Sequence, residues 1–353
     1  MLEAWHQHKL VYLREFLVFL GKRIAGTVAI MFGVVVIIFL LSHVLSSDPA
    51  QLWAGAKAHA SEIQAIRLRY HLNDPLYTQF YYFLVDTFTL NFGIDPVSGQ
   101  SISSEILFYA PNTIELVVAA LIITILLGVV LGYLAAMHFS TKIDSLIRVF
   151  YLTSWATPYY LGAIAAILIF ADYIPILPSG GMFSLALNPP HAYTGFFLID
   201  SLASLNFRDF VSGLQHLVLP AGVLALLDFG ILTRVTRSSM LDVRWSTPVK
   251  FALARGVPEN TANMRHIFRN GLIDANTVSA IVFGWMLSGT VIVEEIFAWP
   301  GIGDFADKAI ITNDYPALIP VVIFFTFGVI IANFLADVIY SFLDPRIALG
   351  AGE

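Results

Sequence analysis

An all-α integral membrane protein with six transmembrane helices is the fold class this sequence predicts, and three observations predict it. The 353 residues are 58% hydrophobic and only 12% charged, with a mean hydropathy of +0.77, more apolar side chain than one soluble core needs. A bilayer core of about 30 Å calls for roughly 20 apolar residues in a helix that rises about 1.5 Å per residue, and several stretches of that length lack Asp, Glu, Lys and Arg. Lys and Arg also collect in alternate loops, the charge pattern that orients membrane chains.

Taken in order, the first span is Ile24 to Leu45. A basic segment precedes it, but 22 uncharged residues exceed the core of about 7–15 in a cleavable signal peptide, so it reads as a retained anchor. Residues 1–23 are then a cytoplasmic segment, 24–46 the first transmembrane helix, and 47–111 an external subdomain. Within that subdomain "SEIQAIRLRYHL" puts Ile63, Ile66 and Tyr70 on one helical face, with Ser61 as its cap. Residues 112–343 hold five more spans: Leu116 to Met137, Val149 to Ala171, Phe210 to Thr233, Ala275 to Val293 and Tyr315 to Ala336. The fourth is the weakest, because it contains Pro220 and Asp228, but an odd number of spans would leave the two ends of the chain on opposite sides. Pro158 and Pro220 predict kinks, and Gly128, Gly132 and Gly162 predict close helix contacts. Asp172 to Asp209, rich in Pro, Gly and aromatics, reads as an ordered external loop, and 344–353 as a cytoplasmic tail.

With the amino terminus inside, 14 of the 19 Lys and Arg residues fall on the inner face. The net charge of −6 thus combines a basic inner face with an acidic outer one. The chain contains no cysteine, which removes disulfides and thiolate metal ligands. It contains no G-x-x-x-x-G-K-[ST], so it has no backbone cradle and lysine for nucleotide phosphates, and no H-E-x-x-H or G-x-S-x-G. "GIGD" at Gly301 to Asp304 matches the intramembrane aspartyl protease motif, but no Tyr-Asp pair accompanies it. Catalytic residues, a metal site and a nucleic-acid partner are therefore not expected.

Two acidic positions stand out. Asp228 is the one acid in the middle of a span; it could pair with or snorkel towards Arg234 at the inner surface, or carry a coupling ion in a secondary transporter. Glu294 and Glu295 close the fifth span ahead of "IFAWPGIG". Either they lie at the interface with Trp299 anchored at headgroup depth, or one of them faces a pathway where the Pro300–Gly301 turn reverses the chain.

The basic stretch from Arg234 to Asn276 is helical in pieces. "TPVKFALAR" offers Thr247 as cap, Pro248 in the first turn and Gly256 just past the end. Pro258 and Glu259 then suit the start of a second helix with a Met264, Ile267, Phe268 and Leu272 stripe. That stripe could pack under the bundle, lie on lipid or dock into a protein; the small residues Ala252, Ala254 and Gly256 favour close approach by a partner.

"RVTRSSMLDV…KFALARGVPENTANMRHIFRNGL" resembles the cytoplasmic coupling loop of ABC importer permeases, specifically the first membrane subunit of the dipeptide/oligopeptide family. "SSDPAQLWAG", "YAPNTIELVVAA", "HLVLPAGVLAL", "VIVEEIFAWPGIG" and "YSFLDPRI" extend the resemblance over most of the chain in family order. Asp274 and Gly271 depart from the proline and alanine the family often has. The resemblance implies the permease fold for residues 112–343, with 234–276 as the coupling loop and Lys250, Phe251, Ala252, Ala254, Arg255, Gly256 and Glu259 engaging an ATPase cleft. It implies a candidate external gate at Glu294, Glu295, Trp299, Pro300 and Gly301. Its implied partners are a second homologous permease, two ATP-binding subunits that hold ATP and Mg, an extracellular solute-binding protein and the lipid bilayer of the cell membrane. The chain itself would bind no cofactor, and the cargo would be short peptides or oligosaccharides. An ion-coupled carrier without an ATPase is the alternative.

Overall fold

The computed structural model describes residues 2–44, 48–54, 58–187 and 191–343, and among them the regular elements are all helices. Helix α1 (Leu2–Phe39), closed by a π turn at Leu40–Val44, runs through the amino-terminal segment and the first span without a break, so that segment is not a separate piece. Three short helices follow: α2 (Pro49–Ala54), α3 (Ala60–Arg69) and α4 (Leu76–Phe88). On the predicted face Ile63, Ile66 and Tyr70 are half-buried. The cap is His59 rather than Ser61, because the Glu62 carboxylate accepts the His59 backbone N–H at 2.9 Å.

Helix α5 (Ile102–Met137) starts well before Leu116, so residues 102–111 of the expected external subdomain are its first turns and Pro111 lies inside it. The third span is two helices instead of one kinked helix. Helix α6 (Lys142–Trp155) and helix α7 (Tyr159–Ile167, prolonged by a π segment at Leu168–Tyr173) meet at 102°. Pro158 lacks an N–H and takes extended backbone, φ −62° and ψ 147°, as the residue capping α7, so the chain breaks where the sequence suggests a bend.

After α8 (Phe197–Ala203), α9 (Phe207–Arg244) continues for 38 residues, through Pro220 and far beyond Thr233. Its basic end stays helical because its charges have partners. Arg237 pairs with Asp144 of α6 through Nε at 2.7 Å and Nη2 at 2.9 Å. Arg244 Nη1 donates to the carbonyls of Ala136 and Met137 at the end of α5, at 3.0 and 3.3 Å. Charge-assisted hydrogen bonds of this kind are stronger than neutral ones and hold the charged helix end against its neighbours.

Helix α10 (Thr247–Ala254), α11 (Glu259–Ala262) with a π turn at Asn263–Phe268, and α12 (Arg269–Ile296) come next, the last three segments forming one continuous rod. The coupling segment, 234–276, expected to be helical in pieces, is almost wholly helical, broken between α9 and α10 and between α10 and α11. Helices α13 (Ile302–Thr312) and α14 (Tyr315–Leu343) complete the described chain, and the tail expected at 344–353 lies outside the described residues. Among the described residues five helices are long and apolar enough to cross a membrane, and six if the bent α6–α7 pair is one span.

Helix α9 is the axis of the bundle. Its Leu217, Leu224 and Leu227 pack with Leu116 and Val117 of α5 and with Val282 and Met286 of α12. Contact between α5 and α9 is close because Gly128 and Gly132 face it: a Cβ at either would fall 2.7 Å from Leu232 Cγ or Thr236 Cβ. At one end of the bundle α10 follows α9; at the other, α13 packs Ile302, Phe305 and Ala306 against Ala317 and Val321 of α14.

Candidate functional site

At the α10 end, a short helix buries one side chain in the bundle. Val249, 1% exposed, is the buried residue of α10 and joins Ala136, Met240, Leu241 and Ile267. The residue capping α10 is Ser246, one position before the expected Thr247, and Pro248 lies in the first turn where its missing N–H is not needed. At the other end Gly256 takes φ +82°; its N–H donates to the Leu253 carbonyl at 2.9 Å and the Val257 N–H to the Ala252 carbonyl at 3.2 Å. This pairing terminates the helix sharply and needs the left-handed backbone glycine adopts freely.

Lys250, Phe251, Ala254, Arg255, Gly256 and Glu259 are exposed and Ala252 is half-buried. Phe251 is 61% exposed with the Arg255 guanidinium 5.7 Å above its ring. The second helix divides: Ile267 is buried in the bundle and Phe268 and Leu272 pack against it, but Met264 is 56% exposed and does not join the stripe the spacing predicts. The same end thus shows Trp245, Phe251, Leu253 and Met264 to its surroundings, large apolar side chains only partly covered by the chain.

At the opposite end the turn after α12 is nailed to α5. Glu294 is fully buried. Its Oε1 accepts the Thr113 hydroxyl at 2.8 Å, and its Oε2 accepts the Gly303 and Asp304 N–H groups at 2.7 and 3.2 Å. The carboxylate therefore caps the amino terminus of α13, where donors and dipole favour negative charge. Thr113 Oγ1 also accepts the Ile302 N–H at 2.7 Å, Asn112 Nδ2 donates to the Pro300 carbonyl at 2.6 Å, and the Trp299 indole donates to the Asn112 carbonyl at 3.1 Å. A Cβ on Gly301 would lie 2.4 Å from the Glu294 Cδ, so only glycine lets the turn close over the carboxylate.

Trp299, 1% exposed, is thus not a headgroup anchor, and Glu294 faces neither the interface nor an opening. Glu295 is exposed and takes no part. Asn112 and Thr113 are the partners that sequence reasoning missed, although they sit inside the quoted "YAPNTIELVVAA".

Nearby, Asp95 from the loop before α5 meets Asp314 at the start of α14. Asp314 accepts the Ala317 N–H at 3.2 Å, and Asp95 accepts those of Val97 and Ser98 at 2.5 and 3.1 Å. Burial, the hydrogen bond with Asp95 and the nearby charges of Asp95 and Glu105 push Asp314 up to about 7. Burial acts to raise Asp95 too, but the hydrogen bonds from Asp314, Val97 and Ser98 outweigh it and hold Asp95 below the ordinary carboxylate range. A raised folded-state pKa gives stability that is complete below the unfolded value near 3.8 and is lost as pH rises through about 7. Thermal unfolding of the detergent-solubilised chain should therefore come at lower temperature at pH 8 than at pH 6, and Asp314→Asn should flatten that slope. An unchanged slope in the variant would refute the shared proton.

Asp228 does not pair with Arg234. It is 4% exposed and accepts the Tyr159 hydroxyl from α7 at 2.8 Å, whereas Arg234 is exposed.

With this geometry established, comparison with known proteins is informative. Residues 128–349 match the family described as "Binding-protein-dependent transport system inner membrane component", and residues 16–101 match the amino-terminal family of the same transport-system membrane components. The chain is 36% identical over 334 residues, 95% of its length and 98% of the relative, to the probable D,D-dipeptide transport system permease protein DdpB of Escherichia coli (strain K12). It is 31% identical over 330 residues, 93% of its length and 98% of the relative, to the di/tripeptide transport system permease protein DppB of Pseudomonas aeruginosa (strain UCBPP-PA14). It is 29% identical over 327 residues, 92% of its length and 98% of the relative, to the oligopeptide transport system permease protein AppB of Bacillus subtilis (strain 168).

Proposed function

The chain belongs to the binding-protein-dependent transport system inner membrane component family, and from that premise we propose that it forms one membrane half of an ATP-driven importer of short peptides. It is a membrane-spanning permease subunit of the ABC importer type. The peptide cargo follows the relatives, each named for a peptide transport system, rather than the oligosaccharide alternative. Nothing in the fold or in these relatives supports the ion-coupled carrier.

A homologous permease would face this chain across the pathway. Two ATP-binding subunits, carrying ATP and Mg, would sit at the α10 end, and a solute-binding protein would deliver cargo at the α13 end. The excess of Lys and Arg supports placing both chain termini and the α10 end in the cytoplasm.

One observation carries the proposal: among the described residues α10 buries a single side chain, Val249, in the bundle, yet displays Phe251, Leu253 and Arg255 outward. That is the anatomy of a helix that seats in a groove on another protein. Lys250, Phe251, Ala252, Ala254, Arg255, Gly256 and Glu259 form the contact surface in this reading. Closure of the ATPase pair would move α10 as a unit, and the motion would enter the α11–α12 rod through the four-residue link at 255–258. Switching between inward and outward openings then needs only a few kcal/mol of difference between two states. On this reading the Glu294 clamp keeps the far end of the rod fastened to α5, the sense in which the gate residues act.

The chain has no native cysteine, so Ala252→Cys gives a single thiol in it. In membranes containing the whole transporter, a short bifunctional crosslinker at residue 252 should capture an ATP-binding subunit with a yield that changes on adding ATP. Capture of lipid-phase products alone would end the proposal.

A further inference from the structure

Where α6 breaks from α7, the bundle surface opens into a cavity of about 440 Å³, within the roughly 300–1,000 Å³ of small-molecule sites. The break contributes Trp155, Thr157 and Tyr159, α9 contributes Asp228, and α12 contributes Trp285 and Ser288. Asp228 lies 16 residues from Arg244 and 21 from Phe207, about 24 and 32 Å along α9, so the cavity sits near the middle of that helix.

The carboxylate there is only half satisfied. Oδ1 accepts the Tyr159 hydroxyl at 2.8 Å, and the buried Oδ2 has no hydrogen-bond partner among the described residues. Among the described residues no Lys, Arg or His lines the cavity. A buried acid costs several kcal/mol unless it is neutralised or a cation or further donors meet it, and among the described residues no second partner meets this one. Lipid tails offer no such partner, which argues for placing the cavity on the face turned to the pathway. What surrounds the acid suits a cation in particular. The Trp155 and Trp285 side chains stand 48% and 44% exposed at the cavity, as π surfaces that attract ammonium groups. The Thr157 hydroxyl donates its proton to the Thr153 carbonyl at 2.9 Å, so its oxygen is left as an acceptor.

We infer that Asp228, Trp155 and Trp285 form a cation-recognition site in the translocation pathway that takes the terminal ammonium of the passing cargo. The inference rests on the peptide-import reading, because a short peptide brings that ammonium.

Ser288→Cys places one thiol at the cavity of an otherwise cysteine-free chain. In membranes holding the assembled transporter, the rate of a cationic methanethiosulfonate reagent relative to an anionic one should fall about tenfold when Asp228→Asn is added. Asp228→Ser repeats the measurement if the Asn variant does not assemble. An unchanged ratio overturns the site, as does a thiol that a membrane-permeant maleimide modifies but neither charged reagent reaches. A second arm compares ATP-dependent uptake of a dipeptide and its N-acetyl derivative. The parent transporter should prefer the free amine at least several-fold, and Asp228→Asn should erase that preference. Equal uptake of both by the parent would remove the cargo ammonium as ligand. Failure of the parent to take up either peptide would refute the peptide-import reading and with it the cargo assignment, while the labelling ratio would still decide whether the cavity recognises cations.

Discussion

Glu294→Ala should unfold the α12–α13 turn, lower the stability of the chain by on the order of 4 kcal/mol and abolish uptake. The size follows from the donors left behind. Thr113, Gly303 and Asp304 all aim at the Glu294 carboxylate inside a fully buried site, and each orphaned donor costs about 1–3 kcal/mol. Loss of the side chain also leaves a void beneath Gly301 and Gly303, which close over it. Glu294→Gln keeps the volume and an acceptor oxygen but puts an NH₂ where one oxygen now accepts, so it should cost roughly 1–3 kcal/mol. Glu295→Gln, on the exposed face, should stay within about 0.5 kcal/mol of the parent. Thermal retention of the monodisperse peak in detergent measures all three, with uptake measured in parallel. A clamp lowers stability and uptake together, whereas a pathway-facing gate would change uptake at parental stability. Parental melting of Glu294→Ala would eliminate the clamp.

Gly256→Pro should cut transporter ATP hydrolysis stimulated by the binding protein by about 100-fold while membrane insertion stays normal. Proline holds φ near −65° and has no N–H, but the position has φ +82° and its N–H bonds Leu253, so the end of α10 cannot form. The effect stays local because Val249 and the Arg244 contacts, which attach this region to the bundle, are untouched. A glutamate at Ala252 tests the surface instead of the backbone and should have a similar effect, since a central interface contact is worth 2 kcal/mol or more and about 2.7 kcal/mol is 100-fold. Gly256→Ala, which strains the backbone by only about 1 kcal/mol, should fall between. Undiminished stimulated hydrolysis in Gly256→Pro and Ala252→Glu would show that α10 is not the docking element.

The spans were legible because an apolar run of bilayer length leaves a chain few alternatives. Their ends were not. Arg237 and Arg244 look like loop residues in sequence, and they are helical because Asp144 and two α5 carbonyls, about a hundred residues away, accept their hydrogen bonds. Pro158 announces a lost donor, but whether the chain bends or breaks there depends on what packs around it. Glu294 looks interfacial because a carboxylate at the end of an apolar run usually meets water. Its burial depends on Thr113, which is 181 residues away in sequence. The glycines fared better: Gly128 and Gly132 lie four apart on α5, and four-residue spacing is itself a statement about one helix face. The α10 surface was legible only through resemblance, since a docking helix and a lipid-lying one share their residue types.

The π turn at Asn263–Phe268 gives the rod between the two ends a particular mechanical character. It holds one residue more than an α-helical turn would use, and absorbing that residue would advance the helix by about 1.5 Å and spin it by about 100°. Thrust applied at the bottom would then arrive at the top as torque, swinging Trp285 and Ser288 around the helix axis while the fastening to α5 resists. A screw of this kind would reshape the conduit wall without any span having to slide through the bilayer.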